Sequence, residues 1–126
     1  MTNPTIMQEI QSLLNNYFDA LYTQDLTIFD QVFHKDSVLY NAQDGNTVIR
    51  PIAEYREVVK NRKSPKEMGS PRNDNVVLID FLSSEMAMVK VRLRLYDNIM
   101  EDYLNLIKSN GRWQVAAKMW TKVGPA

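Results

Sequence analysis

Residues 17–40, with the sequence YFDALYTQDLTIFDQVFHKDSVLY, constrain the fold more than any other stretch of this chain. Asp25 can cap a short second helix, because its carboxylate can accept hydrogen bonds from the free backbone N–H groups of the first turn. Residues 37–42 then predict a strand. Ahead of Asp25, apolar residues recur at three- and four-residue steps, which predicts a first helix over residues 4–22 with one buried face. That face consists of Ile6, Ile10, Leu13, Leu14, Tyr17, Phe18 and Leu21.

The rest of the chain predicts one more helix and a run of strands. Asn3 fits the N-cap of the first helix, and Pro4 fits its first position. The Asp44-Gly45 turn returns the chain as a second strand over residues 46–50, and a third helix begins at Pro51. Residues 63–72 contain two prolines and one glycine and predict a mobile loop. Four strands follow as an antiparallel meander, near residues 76–83, 86–96, 100–108 and 112–123.

Helices ahead of an antiparallel sheet predict an α+β fold, here a single domain over residues 1–126. The stretch at residues 17–40 and the closing strand GRWQVAAKMWTKV resemble the nuclear transport factor 2-like (NTF2-like) superfamily, which has a cystatin-like cone. The resemblance is strongest to its putative lumazine-binding and SnoaL-like groups. It implies that the N-terminal helices pack into the concave face of a strongly curved sheet, around a pocket. The superfamily contains isomerases, dehydratases, cyclases and adaptors, so function has to be argued from the site.

Composition narrows the classes of partner. Fifteen basic and fifteen acidic residues balance, with no basic block, so nucleic acid and membrane surfaces are not expected partners. The chain has no cysteine and one histidine, which excludes disulfides and gives no reason to expect a metal or other cofactor. There is no secretion signal and no apolar run of the ~20 residues that span a membrane, so we expect a cytoplasmic protein.

Period-two alternation assigns strand side chains to faces. Asp102 is a single carboxylate on a face otherwise formed by Met100, Leu104 and Leu106. On the last strand, Lys118 and Trp120 are predicted opposite an apolar face of Trp113, Val115, Ala117 and Met119. The strand over residues 76–83 is apolar on both sides, which indicates that the outer face of the sheet is covered as well. We therefore predict a homodimer through the outer sheet face.

Ketosteroid isomerase offers the nearest chemical template within the superfamily. That enzyme uses a Tyr and a protonated Asp as an oxyanion hole and a second Asp as base. The resemblance implies that Tyr17 and Asp102 occupy the two donor positions. Asn41 stands where the base belongs, and Asn cannot take a proton from carbon, so ketosteroid isomerisation itself is not expected. Tyr40 competes with Asn41 for the inward direction, and the predicted ligand-binding set also includes Leu104.

Other residues could supply a base. His34, the only histidine, has a suitable unperturbed pKa, but its position after the second helix favours a structural or solvated residue in a turn. Asp80 is a lone carboxylate on a strand whose faces the pattern does not assign. Both stay candidate catalytic residues beside Tyr17 and Asp102.

Structural readings compete at the two principal positions as well. Tyr17 can be a core tyrosine with a satisfied hydroxyl. Asp102 can face solvent if a bulge shifts the alternation, or can pair with Lys118 or Arg94.

These residues support three functions. The first is a protein that binds a small planar or hydrophobic ligand, oriented by Tyr17 and Asp102. The second is an isomerase, dehydratase or polyketide-cyclase-like enzyme in which the same two residues stabilise an enolate. The third is an adaptor whose interior is filled by its own side chains. The first is the prediction, because the recognisable donors are present and the recognisable base is missing.

Overall fold

Three helices and six strands follow one another in the predicted order. The structure is a computed structural model that describes residues 4–126, so the predicted N-cap Asn3 lies outside the described residues. The elements are α1 (Pro4–Thr23), α2 (Leu26–Val32), β1 (Phe33–Gln43), β2 (Asn46–Pro51), α3 (Ile52–Asn61), β3 (Asp74–Phe81), β4 (Met86–Leu95), β5 (Asn98–Ser109) and β6 (Arg112–Pro125). The predicted α+β fold is confirmed.

The six strands form one open sheet in the order β2-β1-β6-β5-β4-β3. All neighbours are antiparallel except β1 and β6, which are parallel. The last four strands are the predicted meander. The face that packs against the helices is called the inner face below, and the opposite face the outer face.

The core lies between α1 and the inner face of the sheet. The stripe predicted on α1 is buried from Ile10 to Leu21, and Val89 and Leu104 are among the inner-face residues that it meets in one core cluster. Burying each such side chain contributes about 1.5–3 kcal/mol. Within residues 4–126, no helix is both long and apolar enough to cross a membrane.

The junction of α1 and α2 follows from local chemistry. Gln24 takes a positive φ of 57° between the two helices. Asp25 then accepts hydrogen bonds from the backbone N–H of Thr27 at 2.8 Å and of Ile28 at 3.4 Å, so the predicted cap is present. A cap of this kind contributes about 1 kcal/mol.

A β-bulge in β6 reverses the predicted faces of the last strand. The pairing of β5 with β6 slips by one residue at Ala116. Because one extra residue changes the parity of the strand, the side chains of residues 117–122 lie on the face opposite to the one that unbroken alternation predicts, and a second slip follows at Val123. Lys118 is consequently buried on the inner face with Trp120, and Met119 is exposed on the outer face. The prediction that Lys118 and Trp120 face away from the core is wrong for this reason.

Residues 62–73 form neither helix nor strand, but they are attached to α1. The backbone N–H of Lys66 donates to the carbonyl of Tyr22 at 3.1 Å, and the Tyr22 hydroxyl donates to the carbonyl of Ser70 at 2.8 Å. Arg72 donates to Asp19 at 2.7 Å. These bonds do not support the mobile loop predicted from the prolines and glycine.

Candidate functional site

Three side chains from different elements meet at the inner face of the sheet. Tyr17 of α1 donates its hydroxyl to Oδ2 of Asp102 on β5, over 2.5 Å. Nζ of Lys118 on β6 lies 3.6 Å from the same oxygen, and the Lys118 and Asp102 side chains are only 6% and 2% exposed. Removing either partner of a buried ion pair destabilises the protein, because the other charge is then left buried without compensation.

Two aromatic rings enclose the ammonium group of Lys118. Its Nζ lies 5.2 Å from the ring centre of Tyr17 and 5.5 Å from that of Tyr55. The negative faces of aromatic rings attract a cation at such distances, most strongly where water is excluded. Lys118 therefore makes cation–π contacts with both rings at this buried position.

The second oxygen of the Asp102 carboxylate is not satisfied. Among residues 4–126, no donor lies within hydrogen-bonding distance of Oδ1, although this atom is fully buried. An unsatisfied buried polar atom costs about 1–3 kcal/mol, and more when the group is charged. Such an atom in a folded protein calls for a functional or solvent partner.

The environment holds Tyr17 in its protonated form. Burial raises the pKa of the Tyr17 hydroxyl well above its ordinary value, and the negative charge of Asp102 and the hydrogen bond to it raise this pKa further. Tyr17 therefore acts as a hydrogen-bond donor whose acceptor is the carboxylate.

A cavity of about 240 Å³ opens beside this cluster. Asp102 and Lys118 form part of its wall, and Tyr55, Tyr96 and Trp120 contribute aromatic surface. An apolar cavity of about 150 Å³ is large enough for benzene, whereas pockets for drug-sized ligands have about 300–1,000 Å³. The cavity therefore fits a molecule of one or two rings.

Arg62, which caps α3, organises one side of this cavity. Its Nε donates to Oε1 of Gln24 at 2.8 Å, and its Nη2 donates to the Tyr55 hydroxyl at 3.0 Å. Its guanidinium also lies 5.3 Å from the ring centre of Tyr96. Tyr96 has a positive φ of 56° in the β4–β5 turn, and its hydroxyl donates to the carbonyl of Lys63 at 2.5 Å. These contacts fix the aromatic wall in place.

The predicted ligand-binding residues lie in different places. Asp102 lines the cavity. Tyr17 does not line the cavity, but its hydroxyl donates a hydrogen bond to the Asp102 carboxylate. Leu104 is fully buried in the core and is not part of the cavity wall. Asn41 donates its side-chain amide to the carbonyl of Trp120 at 2.8 Å. Tyr40 and Asn41 both line a groove of about 400 Å³ that also includes Met119 of the outer face. Neither of them lines the cavity beside Asp102.

Neither proposed base lies with the Tyr17–Asp102 pair. His34 borders a surface groove of about 580 Å³, and its Nδ1 accepts a hydrogen bond from the backbone N–H of Asp36 at 3.0 Å. Asp80 is exposed on the edge strand β3, paired with Met88. We place the candidate site at the smaller cavity because the unsatisfied carboxylate and the buried lysine are there.

Two features of the site were missed from the sequence. Pairing of Asp102 with Lys118 is one of the alternatives that the sequence leaves open, and it is present, but unbroken alternation does not predict that Lys118 lines the cavity. Arg50 and Arg62 also line the cavity, and no motif marks them. Among residues 4–126, no three His, Cys, Asp or Glu side chains are grouped in a way that could hold a metal ion.

Comparisons with known proteins agree with this architecture. The model of the family described as putative lumazine-binding matches residues 6–121. The fold is similar to that of an NTF2-like protein of unknown function from Shewanella baltica OS155, with a TM-score of 0.83, 22% identity and 97% of each chain covered. No curated protein sequence matches the chain.

Two further solved structures have names that refer to enzymes. A ketosteroid isomerase-like protein from Erwinia carotovora atroseptica SCRI1043 has a TM-score of 0.72 at 17% identity, with 98% of this chain and 100% of that chain covered. A putative scytalone dehydratase from Novosphingobium aromaticivorans DSM 12444 has a TM-score of 0.71 at 14% identity, with 95% and 85% covered. At these identities the likeness shows the fold alone. The predicted NTF2-like superfamily is confirmed by the family match over residues 6–121 together with this fold.

Proposed function

Because the chain belongs to the family described as putative lumazine-binding, we propose that it binds a small planar molecule in the cavity beside Asp102. The observation that carries this proposal is the fully buried Oδ1 of Asp102, for which no residue in the described range 4–126 supplies a donor. An N–H or O–H group of a ligand would satisfy this atom once the side chains that cover it move aside. The free energy of leaving the oxygen unsatisfied would then favour the bound state.

The neighbouring lysine extends the chemistry of this contact. The Lys118 ammonium has three N–H donors and no acceptor. Its distance of 3.6 Å from Asp102 leaves donors for a carbonyl group of the ligand. A ligand edge with a donor next to an acceptor fits this pair, and lumazine, a two-ring pteridinedione, has N–H groups next to carbonyl groups.

The other walls suit a flat ring. Tyr55, Tyr96 and Trp120 offer aromatic surface, and the volume of about 240 Å³ is too small for a drug-sized ligand but sufficient for one or two rings. Steroid-sized molecules are therefore poor candidates. The proposed ligand is therefore smaller than the steroid substrate of ketosteroid isomerase, the enzyme used above as chemical template.

Calorimetric titration of lumazine and of one-ring lactams and phenols tests the proposal. We expect Asp102→Asn to weaken binding by about tenfold or more, since it removes a charge-assisted hydrogen bond. Asp80→Asn makes the same change on an exposed strand and should leave binding unaltered. Equal binding by the wild type and Asp102→Asn would place the site elsewhere. No binding by any compound to a folded protein would favour the adaptor.

The homodimer stays a proposal. Exposed apolar side chains on the outer face of the sheet support it. Tyr103 and Met119 are 45% and 56% exposed there, and Val77 and Leu78 on β3 are about half exposed. Apolar side chains grouped on one sheet face are typical of protein–protein contact surfaces. A homodimer through this face would cover them and leave the cavity on the other face open. A cytoplasmic location also stays a prediction.

An enzyme of the isomerase, dehydratase or polyketide-cyclase kind remains the second candidate function. One observation favours it: the ammonium of Lys118 lines the cavity and could stabilise an enolate oxygen. The carboxylate of Asp102 would then have to move the proton, because no other carboxylate or histidine in the described chain lines this cavity. Exchange of solvent deuterium into the carbon next to the carbonyl of a cyclic ketone, abolished by Lys118→Met, would support this function.

A further inference from the structure

Positive charge predominates in the wall of the cavity. Arg50, Arg62 and Lys118 line it, and Asp102 is the only carboxylate among its lining residues in the described chain. Asp102 can neutralise one of the three cations, namely the lysine that lies 3.6 Å away. The two arginines therefore leave a positive potential at this site, and a low-dielectric wall strengthens such a potential.

The arginines also lack an acidic partner among residues 4–126. The Arg50 side chain lies 5.9 Å from the ring centre of Trp120, and within 4–126 its guanidinium makes no hydrogen bond or ion pair with another residue. Arg62 uses Nε and Nη2 for Gln24 and Tyr55 and also interacts with the Tyr96 side chain, but within the same range no carboxylate forms an ion pair with it. A planar guanidinium is well matched to a carboxylate, which accepts two parallel hydrogen bonds from it.

Burial separates the two ends of the cavity. Lys118 and Asp102 are almost inaccessible, whereas Arg50 and Arg62 are partly exposed. The acceptor that needs a donor therefore lies at the inner end, and the unpaired guanidinium groups lie nearer to solvent. The aromatic wall joins the two ends.

We infer that the ligand is an aromatic acid of one or two rings. Its N–H or O–H group donates to Oδ1 of Asp102, its ring contacts Tyr55, Tyr96 and Trp120, and its anionic group pairs with Arg50 and Arg62. This inference rests on the proposed function, since it specifies the class of planar ligand that the same cavity takes. It assigns the arginines a part in specificity, because a neutral ligand of the same shape would leave their charge unpaired.

Three matched one-ring probes separate these contributions. Para-hydroxybenzoate carries the donor and the charge, para-hydroxybenzamide keeps the donor without the charge, and benzoate keeps the charge without the donor. We expect para-hydroxybenzoate to bind about tenfold more tightly than either of the others in calorimetric titrations. Its affinity should also fall with added salt, whereas that of the amide should not.

Substitutions in the protein test whether Arg50 binds the anionic group of the ligand. Arg50→Gln should weaken binding of para-hydroxybenzoate about tenfold and leave the amide unchanged, and Arg50→Lys should restore part of the difference. Lys90→Gln removes a cation from the outer-face groove and is the matched control. Circular dichroism and thermal unfolding verify that each variant is folded.

The outcomes distinguish this inference from the proposed function. If lumazine or the amide binds in an Asp102-dependent way and the acid binds no more tightly, the aromatic-acid inference is overturned and the proposed function stands. If Arg50→Gln lowers the affinity for the acid and for the amide equally, the proposed pairing of Arg50 with the anionic group of the ligand is overturned as well. If neither the acids nor the neutral compounds bind to the folded wild type, both proposals fall.

Discussion

The hydroxyl of Tyr17 donates to Oδ2 of Asp102 over 2.5 Å and so joins the middle of α1 to the middle of β5. Both side chains are buried, and the acceptor is a carboxylate. The bond fixes the orientation of the carboxyl group, so that Oδ2 is engaged and Oδ1 has no hydrogen-bond partner among residues 4–126. Tyr17 is thus better described as a positioning residue for Asp102 than as a direct ligand contact.

Tyr17→Phe should lower the free energy of unfolding by about 1–3 kcal/mol, because it leaves Oδ2 without its hydrogen bond while preserving the ring. Urea unfolding followed by circular dichroism measures this difference. Tyr103→Phe, on the exposed outer face, is the matched control and should change stability by less than about 0.5 kcal/mol. Equal effects of the two substitutions would contradict the role of the buried bond.

Stability should also fall at high pH because of Tyr17. Burial and Asp102 raise its folded-state pKa well above the ordinary value of 10.0. Below the unfolded pKa its contribution is fully present. As the pH rises beyond about 10, the unfolded chain loses this proton and the folded chain keeps it, so stability falls by about 1.4 kcal/mol per pH unit for this residue.

The difference between wild type and Tyr17→Phe isolates this effect from the other tyrosines. Urea unfolding at a series of pH values between about 9 and 11 should give a steeper decline for the wild type. Parallel declines in the two proteins would show that Tyr17 ionises as easily when folded as when unfolded.

Removing one partner of the buried ion pair should be far more damaging than removing both. Lys118→Met or Asp102→Asn alone should cost about 3–5 kcal/mol when an unpaired charge is left inside, and the double variant should recover part of this loss. A double-mutant cycle from urea unfolding gives the coupling energy.

The exposed pair of Arg56 and Asp30, bonded at 2.8 and 2.9 Å, provides the comparison. The side chains of that pair are 38% and 52% exposed, so its coupling should stay at or below about 1 kcal/mol. A coupling between Lys118 and Asp102 no larger than this would show that water screens the inner pair.

Val58→Trp should obstruct the cavity without disturbing the core. Val58 lines the cavity and is 40% exposed, so the larger ring can occupy the opening. We expect ligand affinity to fall at least about tenfold with little change in thermal stability. Leu82→Trp is the control, because Leu82 is 79% exposed and lies outside the cavity wall. This variant should bind the ligand with the affinity of the wild type.

Met119→Lys should shift the proposed homodimer toward monomers, because it places a charge in the middle of the outer-face contact. Light scattering after size exclusion measures the mass of the particle. Met68→Lys makes the same change at a similarly exposed position, 59% against 56%, outside the sheet. A monomeric wild type at high concentration would remove the dimer proposal.

Local signals were sufficient to predict most of the fold. Side-chain periodicity located α1, and the carboxylate of Asp25 marked the start of α2. Alternation on β5 grouped Asp102 with Leu104 and Leu106 on one face, and the structure shows that this face is buried. These features depend on neighbours in sequence. The β-bulge at Ala116 depends on how β5 and β6 pair in three dimensions, so no local sequence pattern predicts the inward position of Lys118.

The bulge at Ala116 makes the pairing register of β6 a determinant of what the cavity can recognise. A regular ladder in which Ala116 itself paired with Asn105 would turn Lys118 and Trp120 outward and bring Ala117 and Met119 inward. The scaffold would keep its strands, but the charged and aromatic wall would become an aliphatic one. Relatives in which this strand pairs without the bulge can therefore diverge in ligand class without any change at the carboxylate.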